Sequence, residues 1–183
     1  LALSGGQALA DSCGVFLANG GAQMLLNDSE TIGALSGFGT VTLGANTLTM
    51  GSVGGPATFS GTIEGTGALV IKESNAWQDL SGVNTFTGGL TIRGGTLVLW
   101  NGAALLDTTA VTVNTGGSLL LNANETIGTL SGAGRVGLGA SGFTLTVNEA
   151  SDTSFSGAIT GTGALVKTGS GTLTLSGTNT YNG

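Results

Sequence analysis

The side chains able to do chemistry are few and poorly placed for it. Histidine is absent from the 183 residues, which removes the commonest general base and the commonest nitrogen ligand of zinc. Cys13, the single cysteine, has no histidine to raise its thiolate and reads as a small bend or buried residue. Asp28 and Glu30, two apart, would share one face of a strand and come nearest to the paired carboxylates of polysaccharide cleavage. They read as a solvated face, and Glu149 and Asp152 as loop charges. Lys72 and Lys167 read as architectural, capping bend carbonyls or standing in solvent. Gly65-x-Gly67 and Gly169-x-Gly171 lack the following helix of a phosphate cradle and read as bends. The ten acidic residues are scattered, without the short-period Asp of calcium-binding repeats. Trp77 and Trp100 could serve as platforms for sugar rings, although burial is the commoner fate of tryptophan. The expectation is a chain with no catalytic residue, no cofactor and no metal.

What must position these residues is a long repeat. Leu25-Leu26-Asn27-Asp28-Ser29-Glu30-Thr31-Ile32-Gly33 returns as Leu120-Leu121-Asn122-Ala123-Asn124-Glu125-Thr126-Ile127-Gly128, an offset of 95 (125 − 30). Thr66-Gly67-Ala68-Leu69-Val70 returns as Thr162-Gly163-Ala164-Leu165-Val166 at an offset of 96 (162 − 66), which makes Lys167 the counterpart of Lys72 within one residue. Residues 1–96 and 97–183 are thus two copies of one unit, and a chain that rewrites itself at such a period is a solenoid. Within each copy short period-two strands, such as Thr47–Met50, Leu97–Leu99, Val111–Val113, Phe143–Val147 and Thr172–Leu175, alternate apolar with polar residues. Gly20-Gly21, Gly54-Gly55, Gly88-Gly89, Gly94-Gly95 and Gly116-Gly117 punctuate them, and no stretch has the length and caps of a helix.

Apolar centres at Leu97, Leu119, Phe143 and Leu165 predict coils of 22, 24 and 22 residues. One turn of a parallel β-helix, with three strands and three bends, has that length. Eight or so coils at ~4.8 Å each would make a rod about 40 Å long. Inward columns are expected at Leu97, Leu99, Val111, Val113, Leu119, Leu121, Leu145, Val147, Leu173 and Leu175, with Ile32 and Ile127, Phe59 and Phe155, and Leu69 and Leu165 as matching inward pairs. Asn27, Asn84, Asn122 and Asn179 are expected at bends, where asparagine tolerates the left-handed region. Thr-x-Thr at 47–49, 144–146 and 172–174 would form an ice-binding face only if stacked coil on coil, and the spacing is irregular.

Composition agrees. Glycine, 36 residues, is about three times its usual share of roughly 7 %, yet one proline and no Gly-X-Y period exclude collagen. Mean hydropathy is +0.38 with 8 % charged residues, enough apolar surface to fold. A net charge of −6 with only Lys72, Arg93, Arg135 and Lys167 as cations excludes nucleic acid as a partner, because phosphates need clustered Lys and Arg. No apolar run approaches the ~20 residues of a spanning helix. The chain opens at Leu1 without a signal-peptide pattern and reads as an interior fragment.

Thr162-Gly163-Ala164-Leu165-Val166-Lys167-Thr168-Gly169-Ser170-Gly171-Thr172-Leu173-Thr174-Leu175, running on to Gly183, resembles the passenger-associated transport repeat of Gram-negative autotransporters. A second instance lies in the first copy, continuing through Gly88-Gly89-Leu90-Thr91-Ile92-Arg93-Gly94-Gly95-Thr96-Leu97. It is interrupted at Lys72-Glu73-Ser74-Asn75-Ala76-Trp77-Gln78-Asp79-Leu80, where a loop or bulge around Trp77 is expected. The resemblance implies a right-handed parallel β-helix, all-β and one unit over 1–183. It implies a stalk or passenger segment at the cell surface or secreted, presenting an adhesive or effector region. The implied partner is a C-terminal outer-membrane β-barrel of the same polypeptide, with host surfaces or neighbouring passengers as further ones. A polysaccharide-acting β-helical enzyme, or an ordered-surface binder of glycan or ice, is the alternative.

Overall fold

The computed structural model describes residues 1–51, 55–72 and 74–183; Gly54 of the Gly54-Gly55 turn and Glu73 of the interrupted stretch lie outside the described residues. The described residues form strands, bends and turns only, and every strand pair is parallel. The chain winds around three faces. Face I stacks Glu30–Ile32, Leu48–Met50, Leu69–Ile71, Leu90–Ile92, Ala110–Val113, Thr129–Gly132, Thr153–Phe155 and Leu173–Leu175. Face II stacks Gly14–Leu17, Ala34–Gly37, Ala57–Phe59, Trp77–Leu80, Gly95–Leu99, Gly117–Leu121, Arg135–Gly137 and Ala158–Thr160. Face III is split: Ala2–Leu3, Gln23–Leu26, Thr40–Thr42 and Thr62–Glu64 below, and Glu125–Ile127, Leu145–Asn148 and Leu165–Thr168 above. This is a parallel β-helix.

Its core follows from parity. Burial alternates along most strands, as in Gln23–Leu26 and Gly117–Leu121, because successive side chains point to opposite sides of a sheet. Parallel in-register stacking then puts like on like: Ile32, Met50, Ile71, Ile92 and Val113 form one inward column on face I, and all are buried. The predicted inward residues are buried from Leu97 through Val147, as are Ile32, Ile127, Phe59, Phe155 and Leu69. Leu165, Leu173 and Leu175 differ: they pack against the core but are only half-buried, since the last coils have neighbours on one side.

Three local expectations are corrected. Leu119 pairs with Val136 rather than standing a coil below Phe143; that coil is 17 residues (136 − 119), and Phe143 lies in the bend before Leu145–Asn148. Coil length varies because bends lengthen and shorten while the strands stay in register. No non-glycine residue among those described has a positive φ, so the asparagines are not left-handed bend residues. Finally, Trp77–Leu80 is a regular strand paired on both sides; the interruption precedes it.

Corresponding parts of the two copies fall on different faces. Gln23–Leu26 on face III corresponds to Gly117–Leu121 on face II, Glu30–Ile32 on face I to Glu125–Ile127 on face III, and Ala34–Gly37 on face II to Thr129–Gly132 on face I. Between the first pair the chain makes four full turns and two further sides, so each copy is rotated by one face relative to the other. Bends repeat with the same rotation. Gly39, Gly61 and Gly82 stack in the first copy, Gly134, Gly157 and Gly177 in the second, and a Cβ on the upper members of either column would fall on the carbonyl oxygen of the glycine below.

Candidate functional site

The carboxylates singled out from the sequence do not form a pair. Asp28 is exposed and its Oδ2 accepts the Gly5 N–H at 2.8 Å. Glu30 is buried and accepts Ala8 N–H at 3.0 Å and Leu9 N–H at 3.1 Å. The solvated-face reading of Glu30 is therefore wrong. Residues 4–12 carry no strand, and the N–H groups they turn inward need acceptors once burial removes water. Glu30 supplies two. The second copy repeats the device: Glu125 is buried and accepts Ala104 N–H at 3.3 Å and Leu105 N–H at 3.0 Å. Burial raises the Glu125 carboxyl from 4.5 to about 7; the two N–H donors pull it down and the charge of Asp107 adds to the rise.

Glu149, expected as a loop charge, is fully buried. It fills a gap in face I, where the strands Thr129–Gly132 and Thr153–Phe155 pair only at Gly132 and Phe155. Its Oε1 accepts Leu130 N–H at 3.1 Å and lies 2.5 Å from the Thr153 hydroxyl oxygen. That oxygen also lies 2.9 Å from Leu130 O, so the single hydroxyl hydrogen serves one of the two. Oε2 is buried without a partner among the described residues. The first copy has the same gap, between Ala34–Gly37 and Ala57–Phe59, which pair only at Gly37 and Phe59. There the buried Gln78 fills it: Oε1 accepts Leu35 N–H at 3.2 Å, while Nε2 donates to Leu35 O at 2.9 Å and Ala57 O at 2.8 Å. Asn84 bridges three coils on face III, accepting Ile63 N–H at 2.9 Å and donating to Ala104 O at 2.8 Å. Its counterpart Asn179 accepts Ile159 N–H at 2.9 Å.

These polar groups were legible by parity. Glu30 is in phase with Ile32, Gln78 with Leu80, Asn84 with Phe86, Glu125 with Ile127 and Glu149 with Val147, and each of those partners is buried. A polar residue two places from an inward one is itself inward. What the sequence could not show is the strandless segment or ladder gap that each one serves.

The remaining candidates are scattered. Cys13 is a free, half-buried thiol, with Sγ 3.7 Å from Gly14 O. Asp152 is exposed and accepts Thr172 N–H at 2.7 Å. Lys167 Nζ donates to Thr168 O and Gly169 O, each at 3.0 Å, and so caps a bend; Lys72 is exposed. Gly65, Gly67, Gly169 and Gly171 stand at bends against backbone of the coil below. Among the Thr-x-Thr threonines, Thr49 lies in register with Thr31 and Val70 on face I, Thr146 with Thr126 and Val166 on face III, and Thr174 with Ser154 on face I. Among the described residues each of these threonines meets a valine or a serine within one coil, so the paired ranks of an ice-binding surface do not form.

Trp77 and Trp100 are exposed rather than buried. Trp77 stands on a face II strand, as does exposed Phe16, while Trp100 and exposed Phe38 directly follow the face II strands Gly95–Leu99 and Ala34–Gly37. Trp77 Nε1–H donates to Asp79 Oδ1 at 2.8 Å, and Asp79 Oδ2 accepts from the Thr58 hydroxyl at 3.4 Å.

The architecture defines a glycine-laddered parallel β-solenoid whose buried glutamates Glu30, Glu125 and Glu149 accept N–H groups of its own backbone. The family model of the passenger-associated-transport-repeat matches residues 62–99 and 165–183, and the chain is 43% identical over 142 residues to the adhesin BmaC autotransporter of Brucella suis biovar 1 (strain 1330). That alignment covers 75% of this chain and 4% of the relative. No solved structure matches the chain. The chain is an autotransporter passenger segment, of the kind displayed at the cell surface or secreted.

Proposed function

We propose that residues 1–183 act as one stalk section of a longer adhesin, holding a distal adhesive region away from the cell. In this reading the same polypeptide ends in an outer-membrane β-barrel, and host surfaces or neighbouring passengers are its contacts. The observation that carries it is the uninterrupted stack of eight parallel strands on each of faces I and II. A rod with every coil tied to the next through backbone hydrogen bonds transmits position along its axis, which is what a spacer must do. Such neighbour-to-neighbour stacking is also extensible without redesign.

The segment itself catalyses nothing in this reading. Catalysis needs unlike groups converging in a cleft, whereas Glu30 and Glu125 have both oxygens, and Glu149 its Oε1, turned to backbone N–H groups of their own rod. The test is twofold. In-frame removal of the segment from the parent protein is expected to leave the passenger displayed and to weaken cell attachment. Purified protein incubated with polysaccharide, peptide and ester panels is expected to show no turnover, and turnover lost on Asp28→Asn or Cys13→Ser would restore the enzyme.

A further inference from the structure

Among the described residues the four large aromatic side chains that stand exposed are Phe16 and Trp77 on face II strands and Phe38 and Trp100 directly after the face II strands Ala34–Gly37 and Gly95–Leu99; three belong to the first copy and Trp100 to the start of the second. The solenoid does not require them. At equivalent places in the repeat stand Thr112 for Phe16, Ala133 for Phe38, Thr172 for Trp77 and Ser4 for Trp100. Exposing apolar surface is unfavourable, so aromatic residues confined to one face, where the other copy has small or polar ones, mark a surface with an occupant.

The local chemistry selects the occupant. Trp77 is fixed by its Nε1–H bond to Asp79, two residues along the same outward face, so the indole is held before a ligand arrives. Val98 is in register between Asp79 and Leu120. It points outward yet is 2 % exposed, shielded by the side chains around it, whereas Trp100, the residue directly after that strand, is 52 % exposed. Beyond Leu120 a shallow recess floored by Gly137 and Gly139 is walled by Arg135 and Thr160, whose side chains bond to each other at 3.2 Å. The rings are not contiguous: Ser36 and Thr58, then Ser60 and Ser81, fall between them along the stack. A protein-docking core is contiguous and depleted of polar groups. A sugar ring asks for the opposite: an aromatic face under its polarised C–H groups, with hydroxyl, amide and carboxylate groups at its edge. Asp79 and Arg135 are single charges of opposite sign three coils apart on this face, bonded to Trp77 and to Thr160, so no cluster of like charge favours a charged ligand.

We propose that the outer side of face II binds a neutral polysaccharide, with Trp100 and Trp77 as stacking platforms and Asp79 as the residue that positions Trp77. The proposal goes beyond the stalk role, since it makes the flank of the rod an adhesive surface in its own right.

The test is affinity electrophoresis of the purified protein in gels containing laminarin, hydroxyethylcellulose or dextran, with heparin as the anionic control. Tryptophan emission provides a second readout, because both tryptophans lie on this face. Retardation by at least one neutral polymer is expected, with a shift in emission. Trp100→Ala is expected to weaken binding by about tenfold or more, while Trp100→Phe retains most of it. Asp79→Ala weakens it severalfold and Asp79→Asn, which keeps an acceptor for the indole, does not. Val166→Ala, an exposed apolar residue on face III, leaves it unchanged. No retardation by any of the three neutral polymers, preference for heparin, or wild-type binding by Trp100→Ala would overturn the proposal. So would self-association abolished by Trp100→Ala, which would make a second copy the occupant.

Discussion

At the scale of single residues, this rod is shaped by where polar groups are buried. Glu125 shows the tension most directly: it must accept two buried N–H groups, yet desolvation raises its carboxyl to about 7. A folded-state value above the unfolded one means that the folded protein keeps a proton the unfolded chain has lost. The contribution of this group is therefore fully present below about pH 4.5 and is lost as pH rises through 7. At ~1.4 kcal/mol per pH unit, the decline reaches on the order of 3 kcal/mol. Urea denaturation from pH 4.5 to 8 should show it, and Glu125→Gln should flatten the slope; parallel slopes would refute the assignment. Glycine packing gives a second residue-scale prediction. Gly61→Ala drives a Cβ into the Gly39 carbonyl oxygen and should cost roughly 1–3 kcal/mol or more. Gly20→Ala, with open space around it, should change the urea midpoint by no more than ~0.5 kcal/mol equivalent.

At the scale of strands and bends, the solenoid tolerates gaps in its ladders because side chains substitute for missing backbone partners. Gln78 and Glu149 do so at equivalent gaps with different chemistry, an amide in one copy and a carboxylate with a threonine in the other. Removing such a bridge strands buried donors and acceptors, each costing about 1–3 kcal/mol. Asn84→Ala, which strands Ile63 N–H and Ala104 O, should therefore lower stability by roughly 2–5 kcal/mol, measurable by thermal or urea unfolding. Position along the stack matters equally. Leu69 is fully buried between Leu48 and Leu90, and Leu69→Ala should cost about 2–5 kcal/mol. Leu165, half-buried, should lose less on the same substitution. Equal losses would show that the last coils are as tightly packed as the middle.

At the scale of the whole molecule, stability is distributed coil by coil. Each coil touches only its neighbours, so protection should fall from the middle outward. In hydrogen exchange, the amides of Leu69–Ile71, Leu90–Ile92 and Ala110–Val113 should be the slowest, and those of Ala2–Leu3 and Leu173–Leu175 the fastest among strand residues. Uniform protection would mean all-or-none opening and would contradict a nearest-neighbour stack. The rotation between copies has its own consequence. Because a copy spans four turns and two sides, equivalent surfaces do not line up along the rod. A patch borne by every copy would wind around the axis, whereas the aromatic side of face II occurs once, from Phe16 in the first copy to Trp100 at the start of the second.

The sequence by itself determined the fold class, the inward residues and the bends, because these rest on local rules: side-chain direction alternates with every residue, and glycine marks where the chain turns. It also carried the repeat, and with it the passenger resemblance. Parity would even have placed Glu30, Gln78, Asn84, Glu125 and Glu149 inside, although their charge or polarity argued for solvent and the Glu30 and Glu149 readings followed the charge. Only the tertiary structure decided what those groups are for. Their partners are backbone atoms one coil away, as with Leu105 for Glu125 and Ala104 for Asn84, or two, as with Leu35 for Gln78. Coil length varies from 17 residues between Leu119 and Val136 (136 − 119) to 23 between Val136 and Ile159 (159 − 136), so no fixed spacing predicts which residues meet. For the same reason the rotation of the second copy, and the gathering of Phe16, Phe38, Trp77 and Trp100 on one side, emerge only when the strands are stacked. Register is set by backbone hydrogen bonds between coils, and those bonds leave no periodic trace in the chain.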